Sequence, residues 1–403
     1  MNHIYLDHAA ATPLNPQVFE AMRYFFDGKE FYGNPSSFHT PGKEAKDVIE
    51  KSRKNIAEIL NCRPDEIIFT SGGTESDNLA ILGVARALKD KGNHLITSTI
   101  EHHAVLEPMI FLEKKEGYKL TRISVTEDGI IDPEEVLKAI EPDTIFVSIM
   151  MANNEIGTIQ PIAEIGNLIQ KYRLENHSEF PLFHTDACQA SGFLDLDISK
   201  LHVDLLTFNG SKIYGPKGIG VLYIKRGIKL QPLLFGGGQE KGIRAGTEFV
   251  AGIVGLAKAL ELVQKEKVKE NERLIILRDY FITEILKRIP KTRLNGDKTK
   301  RLPNNVHISF LDIEGEALLL YLDAEGIYVS TGSACTSTSL EPSHVILALG
   351  LPREVAHGSL RFSLGKGTTK EDIDTVLEVL PGVVKKLRSI SPVRVEEKYW
   401  NRG

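Results

Sequence analysis

Glycine and hydroxyl residues follow one predicted strand in a pattern that suits a phosphate group. The strand-like segment EIIFT leads into SGGTESDNLAIL, which becomes a helical pattern near Gly73 and Thr74. Glycines allow a tight turn, the first turn of a helix offers unpaired N–H groups, and a threonine hydroxyl adds a further donor. The segment therefore predicts a phosphate-binding turn. The alternative is that Ser71 or Thr74 is a plain helix N-cap.

Two further segments place an aspartate and a lysine at predicted strand ends. Asp186 and Gln189 follow PLFHTDA, and Lys212 follows VDLLTF within the loop NGSKIYGPKGIG. The glycines of this loop have Walker spacing, but Pro216 stands at the position of the P-loop lysine, and a strand-like segment comes next. The loop is therefore neither a P-loop nor a dinucleotide fingerprint, since both require other residues and a long helix.

A lysine, an aspartate and a phosphate turn at one sheet edge are the groups that pyridoxal 5'-phosphate (PLP) requires. The lysine forms a Schiff base, the aspartate pairs with the pyridinium nitrogen so that the ring can accept electrons, and the turn holds the phosphate. Each residue alone has an ordinary alternative, because most lysines lie at the surface and strand-end aspartates often serve turns. Their ordered occurrence favours PLP.

Alternating strand and helix patterns must position these residues. Short apolar runs alternate with helical patterns such as Lys43–Leu60, which predicts parallel βαβ units with ligand sites at the carboxyl ends of the strands. A long charged helix around residues 255–287 then leads into a smaller α+β arrangement. We predict a large α/β domain with a mainly parallel sheet over residues 15–262, and a small α+β domain formed by residues 1–14 and 263–403.

Composition restricts the class of protein. The chain has 403 residues, 42% hydrophobic and 26% charged, so disorder and coiled-coil rods are excluded. A net charge of −5 gives no overall attraction to DNA or to anionic lipid, and no apolar stretch approaches the roughly 20 residues of a membrane span. Cys62, Cys188 and Cys335 are too few and too scattered for a disulfide framework or a metal cluster. We expect a cytoplasmic enzyme without a metal.

The order of several long motifs resembles a known family. The segments are TSGGTESDNLAI, EHHAV, SIMMANNEIGTIQPI, HTDACQA, KIYGPKGIG, GGGQEKGIRAGT, STGSACTSTSLEPSHV and SLRFSLG. They resemble the NifS/IscS-like cysteine desulfurases of the class V, fold-type I PLP-dependent aminotransferase family, and the similarity runs from YLDHAAATP to near SPVRV. The resemblance implies a fold-type I transferase fold, PLP as cofactor and L-cysteine as substrate.

The resemblance also implies roles around the cofactor ring. Lys212 would carry the internal aldimine and later act as the base at the substrate's Cα. His102 would stack on the pyridine ring and handle protons near the substrate thiol. Asp186 would pair with the ring nitrogen and Gln189 with the ring hydroxyl. Asn154 would contact the ring hydroxyl and the substrate carboxylate.

Phosphate and carboxylate contacts are implied at other positions. Gly73, Thr74, Asn209 and Ser211 would hold the phosphate, and Arg361 would bind the substrate carboxylate with its planar fork. The family pattern before the lysine usually has a serine and a histidine, whereas this chain has Asn209-Gly-Ser211. The imidazole contact is therefore missing, although the hydroxyl of Ser211 can still donate.

Cys335 is the cysteine with a chemical role in this interpretation. It lies in a small, hydroxyl-rich segment without apolar periodicity, which predicts an exposed loop. The resemblance implies that its thiolate attacks the substrate sulfur, forms a persulfide and releases alanine, after which the loop carries sulfur to an acceptor. Cys62 and Cys188 are interpreted as structural residues.

Partners and rival functions follow from the same resemblance. Thr247 in IRAGT would reach the phosphate of the neighbouring subunit, which implies a homodimer with shared sites. The sulfur acceptor would be an iron–sulfur scaffold or a sulfur-carrier protein, but the tail VRVEEKYWNRG differs from that of the housekeeping enzymes. The rival functions are a selenocysteine lyase, another class V PLP enzyme, and a non-catalytic scaffold paralogue.

Overall fold

A computed structural model describes residues 3–28, 31–332 and 341–400 of the chain. The helices are α1 (Pro16–Arg23), α2 (Thr40–Leu60), α3 (Gly73–Ala87), α4 (His103–Phe111), α5 (Pro133–Lys138), α6 (Ile162–Glu175), α7 (Ile198–Leu201), α8 (Val250–Arg288), α9 (Gly315–Ala324), α10 (His344–Ala348), α11 (Arg353–His357) and α12 (Lys370–Ile390). The strands are β1 (Ile4–Tyr5), β2 (Ile67–Thr70), β3 (His94–Ser98), β4 (Lys119–Ile123), β5 (Thr144–Ser148), β6 (Leu182–Asp186), β7 (Leu205–Asn209), β8 (Gly220–Ile224), β9 (Thr292–Leu294), β10 (Asn305–Phe310), β11 (Ile327–Tyr328) and β12 (Ser359–Ser363).

A seven-stranded sheet forms the centre of the larger part of the chain. Its strand order is β2-β8-β7-β6-β5-β3-β4. Every neighbouring pair is parallel except those made by β8, which runs antiparallel to both β2 and β7. The prediction of an α/β fold with a mainly parallel sheet is therefore confirmed.

Both faces of this sheet are covered, which explains the continuous apolar runs of its central strands. Successive residues of a strand point to opposite faces. Val147 and Phe208 join a cluster with residues of α2, α6 and α8, whereas Phe146 and Leu205 join a cluster with residues of α3 and α4. The helices thus hold the sheet rigid, and the loops after its strands can carry functional side chains.

A smaller arrangement contains the remaining strands. The antiparallel sheet β12-β10-β9 packs with α9 and α12 around a separate apolar cluster, and β1 pairs in parallel with β11. The 39-residue helix α8 contributes to both clusters, since its first half packs on the large sheet and its second half on the small one. The predicted boundary between the two domains, at residues 262 and 263, falls within α8, and the division into domains stays a prediction.

The carboxyl ends of β2, β6 and β7 lie at one edge of the large sheet. Thr70, at the end of β2, and Asn209, at the end of β7, both pair with Gly220 at the start of the antiparallel strand β8. The turns that follow these strands therefore meet, as expected for a parallel sheet. In the described part of the chain, no helix is long and apolar enough to cross a membrane.

Candidate active site

The turns at this sheet edge surround a cavity of about 420 Å³, a size that suits a cofactor with its substrate. Nine of the residues predicted from the sequence line it. They are Gly73, Thr74, His102, Asn154, Asp186, Gln189, Asn209, Ser211 and Lys212.

The phosphate turn lies where β2 meets α3. Gly72 has φ 156° and ψ −178°, a conformation essentially restricted to glycine, and Gly73 begins the helix. A Cβ at Gly73 would lie 2.7 Å from the Cys188 sulfur and 2.9 Å from Asn209 Nδ2. Glycine at residue 73 therefore allows the first turn of α3 to pack closely against Cys188 and Asn209, and the unpaired N–H groups of this helix N-terminus can receive a phosphate.

Asn209 and Ser211 form the opposite wall of the phosphate turn. The Ser211 hydroxyl donates to Asn209 Oδ1 at 3.0 Å, and Asn209 Nδ2 donates to the Cys188 sulfur at 3.3 Å. Cys188 is buried, and burial together with Asp186 raises the pKa of its thiol well above its ordinary value. The thiol is therefore neutral, which suits a residue packed beside an anion.

Lys212 ends a short helical turn, Gly210–Lys212, directly after β7. Its Nζ donates to the carbonyl of Ala10 at 2.5 Å, and Ala10 itself lines the cavity. The N-terminal segment therefore keeps the amine at the cavity, in the position that a cofactor-binding lysine requires.

Asp186 ends β6 on the floor of the cavity. Its side chain is 7% exposed, and its Oδ1 accepts the N–H of Cys188 at 2.8 Å. A carboxylate at this position can pair with a protonated ring nitrogen. Gln189, one turn further on, donates through Nε2 to the carbonyl of Ala9 at 2.9 Å.

His102 caps the N-terminus of α4. Its Nδ1 accepts the N–H of Ala104 at 3.1 Å, so Nε2 carries the proton of the neutral ring. Burial is the main cause of a lowered pKa, opposed by Asp186, while the charge of Lys212 lowers the pKa further. A neutral imidazole at the cavity wall is suited to stacking on an aromatic ring.

Arg361 lies beside the cavity rather than on its lining. It is 3% exposed on β12, with Nη1 donating to the carbonyl of Asn154 at 2.8 Å and Nη2 to Asp7 Oδ1 at 2.9 Å. Arg361 is therefore connected to the cavity through Asn154, and its contact with a substrate stays a prediction. Thr247 is exposed and does not line the cavity, and Cys335 lies outside the described residues.

The sequence interpretation missed several residues of the cavity. Lys217 lines it near the phosphate turn, Asp77 and Cys188 line it near Asp186, and Asp7 pairs with Arg361. Lys217 had a signal in the motif GPKGIG, where a basic side chain lies between two glycines. No sequence signal singled out Asp77, because its position is that of an ordinary polar residue in a predicted helix.

The cavity fits PLP. Gly73 lies at a helix N-terminus on the cavity wall, the amine of Lys212 and the buried carboxyl group of Asp186 lie at the same sheet edge, and His102 presents a neutral ring. The helix N-terminus can bind the phosphate of PLP, the amine of Lys212 can react with its aldehyde, and Asp186 can pair with its ring nitrogen.

Comparisons with known proteins agree with this geometry. Residues 4–376 match the family model described as aminotransferase class-V. The chain is 54% identical over 395 residues to the cysteine desulfurase IscS of Dictyoglomus turgidum, with 98% of each chain covered. It is similar to the solved structure of a NifS-like protein, with 37% identity, a TM-score of 0.88 and coverage of 96% of this chain and 100% of that one.

A second solved structure, SspA in complex with cysteine, is 36% identical with a TM-score of 0.75, and covers 90% of this chain and 98% of that one. These similarities extend over nearly the whole length of both proteins and confirm the predicted fold class. The chain therefore belongs to the class-V aminotransferase family and, within it, to the PLP-dependent cysteine desulfurases.

Proposed function

We propose that this chain takes the sulfur atom from L-cysteine, releases L-alanine and carries the sulfur as a persulfide on Cys335. The observation that carries the proposal is the single cavity shared by Lys212, Asp186 and the turn at Gly73. In the net reaction the substrate's C–S bond breaks, an S–S bond to Cys335 forms, and the thiol proton of Cys335 balances the new methyl group of alanine. The two sulfur atoms are oxidised together while the carbon is reduced, so no external oxidant is required.

Lys212 and Asp186 would hold the cofactor together with the phosphate turn formed by Gly73, Thr74 and Ser211. When bound, PLP supplies an electron sink that stabilises negative charge on the substrate's Cα. Lys212 Nζ takes the Cα proton, since its amine is kept at the cavity by the carbonyl of Ala10.

His102 orients the ring and handles a proton near the substrate sulfur. Its Nδ1 is occupied by the N–H of Ala104, so the proton that it can donate is on Nε2. Because burial lowers its pKa, the ring stays neutral at neutral pH and can both stack and donate. Gln189 would bind the ring hydroxyl through the side of its amide that Ala9 does not occupy.

Arg361 would bind the substrate carboxylate with Asn154. In the described part of the chain, Arg361 Nε has no hydrogen-bond partner, while its two terminal nitrogens are held by Asp7 and by the carbonyl of Asn154. A guanidinium fixed in this way needs little reorganisation to bind an anion.

The test is an assay of alanine and sulfide from L-cysteine with added thiol reductant, with L-selenocysteine as a second substrate. We expect Cys335→Ser to lose desulfuration of L-cysteine, and Lys212→Ala to lose activity with both substrates. Cys62→Ser is the matched control, because burial raises the pKa of the Cys62 thiol to about 12 and removes it from thiolate chemistry. Full alanine production by Cys335→Ser would refute the persulfide role.

We further propose that the chain acts as a homodimer in which Thr247 completes the phosphate site of the partner. Exposed aromatic rings support this, since Phe26 and Phe249 lie 6.3 Å apart by ring centroids on one surface. Residues 19–38 and 235–249 carry further exposed aromatic side chains, namely Phe19, Tyr24, Tyr32, Phe38 and Phe235. Exposed aromatic rings that group together at a surface typically mark a protein contact.

Complementation tests the shared site. Lys212→Ala is expected to be inactive alone, and Thr247→Ala to be weakly active alone. Mixed dimers place both changes in one site and leave the other intact, so activity should recover after subunit exchange. A monomer in solution, or no recovery in a verified mixed dimer, would contradict the proposal.

The sulfur acceptor and the compartment belong to the same proposal. We propose that the persulfide passes to an iron–sulfur scaffold or a sulfur-carrier protein, supported by the relatives named IscS. We also propose a cytoplasmic location, because Cys335 must return to a free thiol after each transfer. Transfer of ³⁵S from labelled L-cysteine to candidate acceptor proteins, compared between wild type and Cys335→Ser, measures the acceptor directly.

A further inference from the structure

Asp77 lines the cofactor cavity but has no role in the function described so far. It is the fifth residue of α3, one turn beyond the phosphate turn, and it is 1% exposed. We propose that Asp77 and Asp186 carry one negative charge between them, with Asp77 holding the proton and Asp186 the charge offered to the cofactor's ring nitrogen. This inference rests on the proposed role of Asp186.

No cation compensates Asp77. Its Oδ1 is buried and has no hydrogen-bond partner among the described residues. The one basic group within 4 Å in that part of the chain is His184 Nε2, at 3.6 Å from Oδ1. His184 is fully buried, and burial lowers its pKa to about 3, so its ring is neutral. An ionised Asp77 would therefore be a buried charge without a partner.

A chain of hydrogen bonds leads across the sheet to Asp77. Ser148 Oγ lies 2.8 Å from His184 Nδ1, and His184 Nε2 lies 3.1 Å from Thr207 Oγ1. A neutral imidazole has one donor and one acceptor, and Thr207 hydrogen bonds to the carboxyl of Asp77. The chain can run from Ser148 to Nδ1, from Nε2 to Thr207 and from Thr207 to Asp77, or in reverse with a protonated Asp77 as the first donor. Neither direction supplies a positive charge to Asp77.

The neighbouring carboxyls decide where the proton lies. Asp186 and Glu101 are the titratable groups that act on Asp77, and both are acids, so neither can supply a positive charge. Two carboxyl groups in one desolvated site do not both ionise at neutral pH. Asp186 accepts the N–H of Cys188 at 2.8 Å, and Lys212 lines the same cavity, whereas Asp77 Oδ1 has no hydrogen-bond partner among the described residues. Burial and the charge of Asp186 instead hold the pKa of Asp77 well above its ordinary value.

Infrared difference spectroscopy of the holoenzyme tests the proton directly. We expect a protonated-carboxyl stretch at neutral pH that shifts when the carboxyl carbon of aspartate is labelled with ¹³C. The band should be absent from Asp77→Asn and retained in Glu101→Gln, the matched control for the other buried carboxyl. If Asp77→Asn fails to fold, the labelled wild-type protein still shows whether an aspartate is protonated, and the cofactor affinities described next distinguish Asp77 from Asp186. Absence of an aspartate band in the wild type would overturn the inference.

Cofactor affinity supplies the second measurement. Asparagine replaces a neutral carboxyl with a neutral amide of the same shape, so Asp77→Asn should bind PLP within about twofold of wild type. Asp186→Asn removes the buried charge and should weaken binding by about 100-fold or more. Equal weakening by both variants would refute the inference about Asp77. Unchanged binding by Asp186→Asn would instead refute the proposed role of Asp186, so the two failures are distinguishable.

Discussion

A buried ion pair at the edge of the large sheet allows a quantitative prediction. Arg53 on α2 donates to both carboxylate oxygens of Glu240, at 2.9 and 2.7 Å, and the two side chains are 7% and 2% exposed. Glu240 also accepts the N–H of Phe69 at 2.8 Å, and Arg53 donates to the carbonyl of Ile67 at 2.7 Å. Because β2 is an edge strand, the pair satisfies backbone groups that a further strand would otherwise bind.

Arg53→Ala leaves the buried carboxylate of Glu240 with a single donor and leaves the carbonyl of Ile67 without its guanidinium. Removing one partner of a buried pair costs about 3–5 kcal/mol, far more than the pair's net contribution to stability. The double variant Arg53→Met with Glu240→Gln removes both charges. We therefore expect its loss of stability to be smaller than the sum of the losses of Arg53→Met alone and Glu240→Gln alone by about 1–3 kcal/mol.

Urea unfolding, followed by circular dichroism and by fluorescence, measures these free energies where the two transitions coincide. Lys54→Ala is the matched control on the same helix, because Lys54 and Glu58 form an exposed pair at 3.9 Å with side chains 68% and 65% exposed. The reasoning is wrong if Arg53→Ala lies within about 1 kcal/mol of Lys54→Ala, or if the double variant is simply additive.

Three further predictions concern the cavity. Burial and Asp186 raise the pKa of Glu101 to about 8 from 4.5, so between these values the unfolded chain binds fewer protons than the folded one and stability falls as pH rises. Glu101→Gln should remove this pH dependence, which amounts to at most about 1.4 kcal/mol of unfolding free energy per pH unit. Unfolding free energies measured at pH 5 and pH 8 test this, and an unchanged difference between them would contradict the raised pKa of Glu101. Gly73→Ala should weaken PLP binding at least tenfold in fluorescence titration, because its Cβ would lie 2.7 Å from the Cys188 sulfur. Gly382→Ala, on α12 with open space around its Cβ, is the control for an added methyl group, and equal effects of the two variants would argue against a specific phosphate turn. Asp7→Asn loosens the guanidinium of Arg361 and should raise the KM for L-cysteine several-fold with little change in kcat, whereas an effect on kcat alone would count against carboxylate binding.

Local sequence patterns predicted most of the large sheet, because each central strand is a short apolar run buried on both faces. The sequence did not predict β4, because Lys119–Ile123 is not a continuous apolar run. Only Ile123 of this edge strand is buried. The helix predicted at Lys43–Leu60 begins at Thr40, where Pro41 occupies the first turn and His39 accepts the N–H of Gly42. The reversed direction of β8 had a signal in the sequence that was not used: only a short helical turn separates β7 from β8, and a parallel pair needs a longer crossover, usually a helix.

The sequence by itself determined the chemical groups and the strand ends that carry them, since turns, caps and apolar periodicity depend on residues close together in the chain. The tertiary structure alone decided which distant side chains meet. Asp7 reaches Arg361 across 354 residues and Glu240 reaches Arg53 across 187, while Asp77 joins Asp186 in one cavity. Such contacts follow from sheet order and helix packing, and these also set the burial that holds a proton on one carboxyl and a charge on the other.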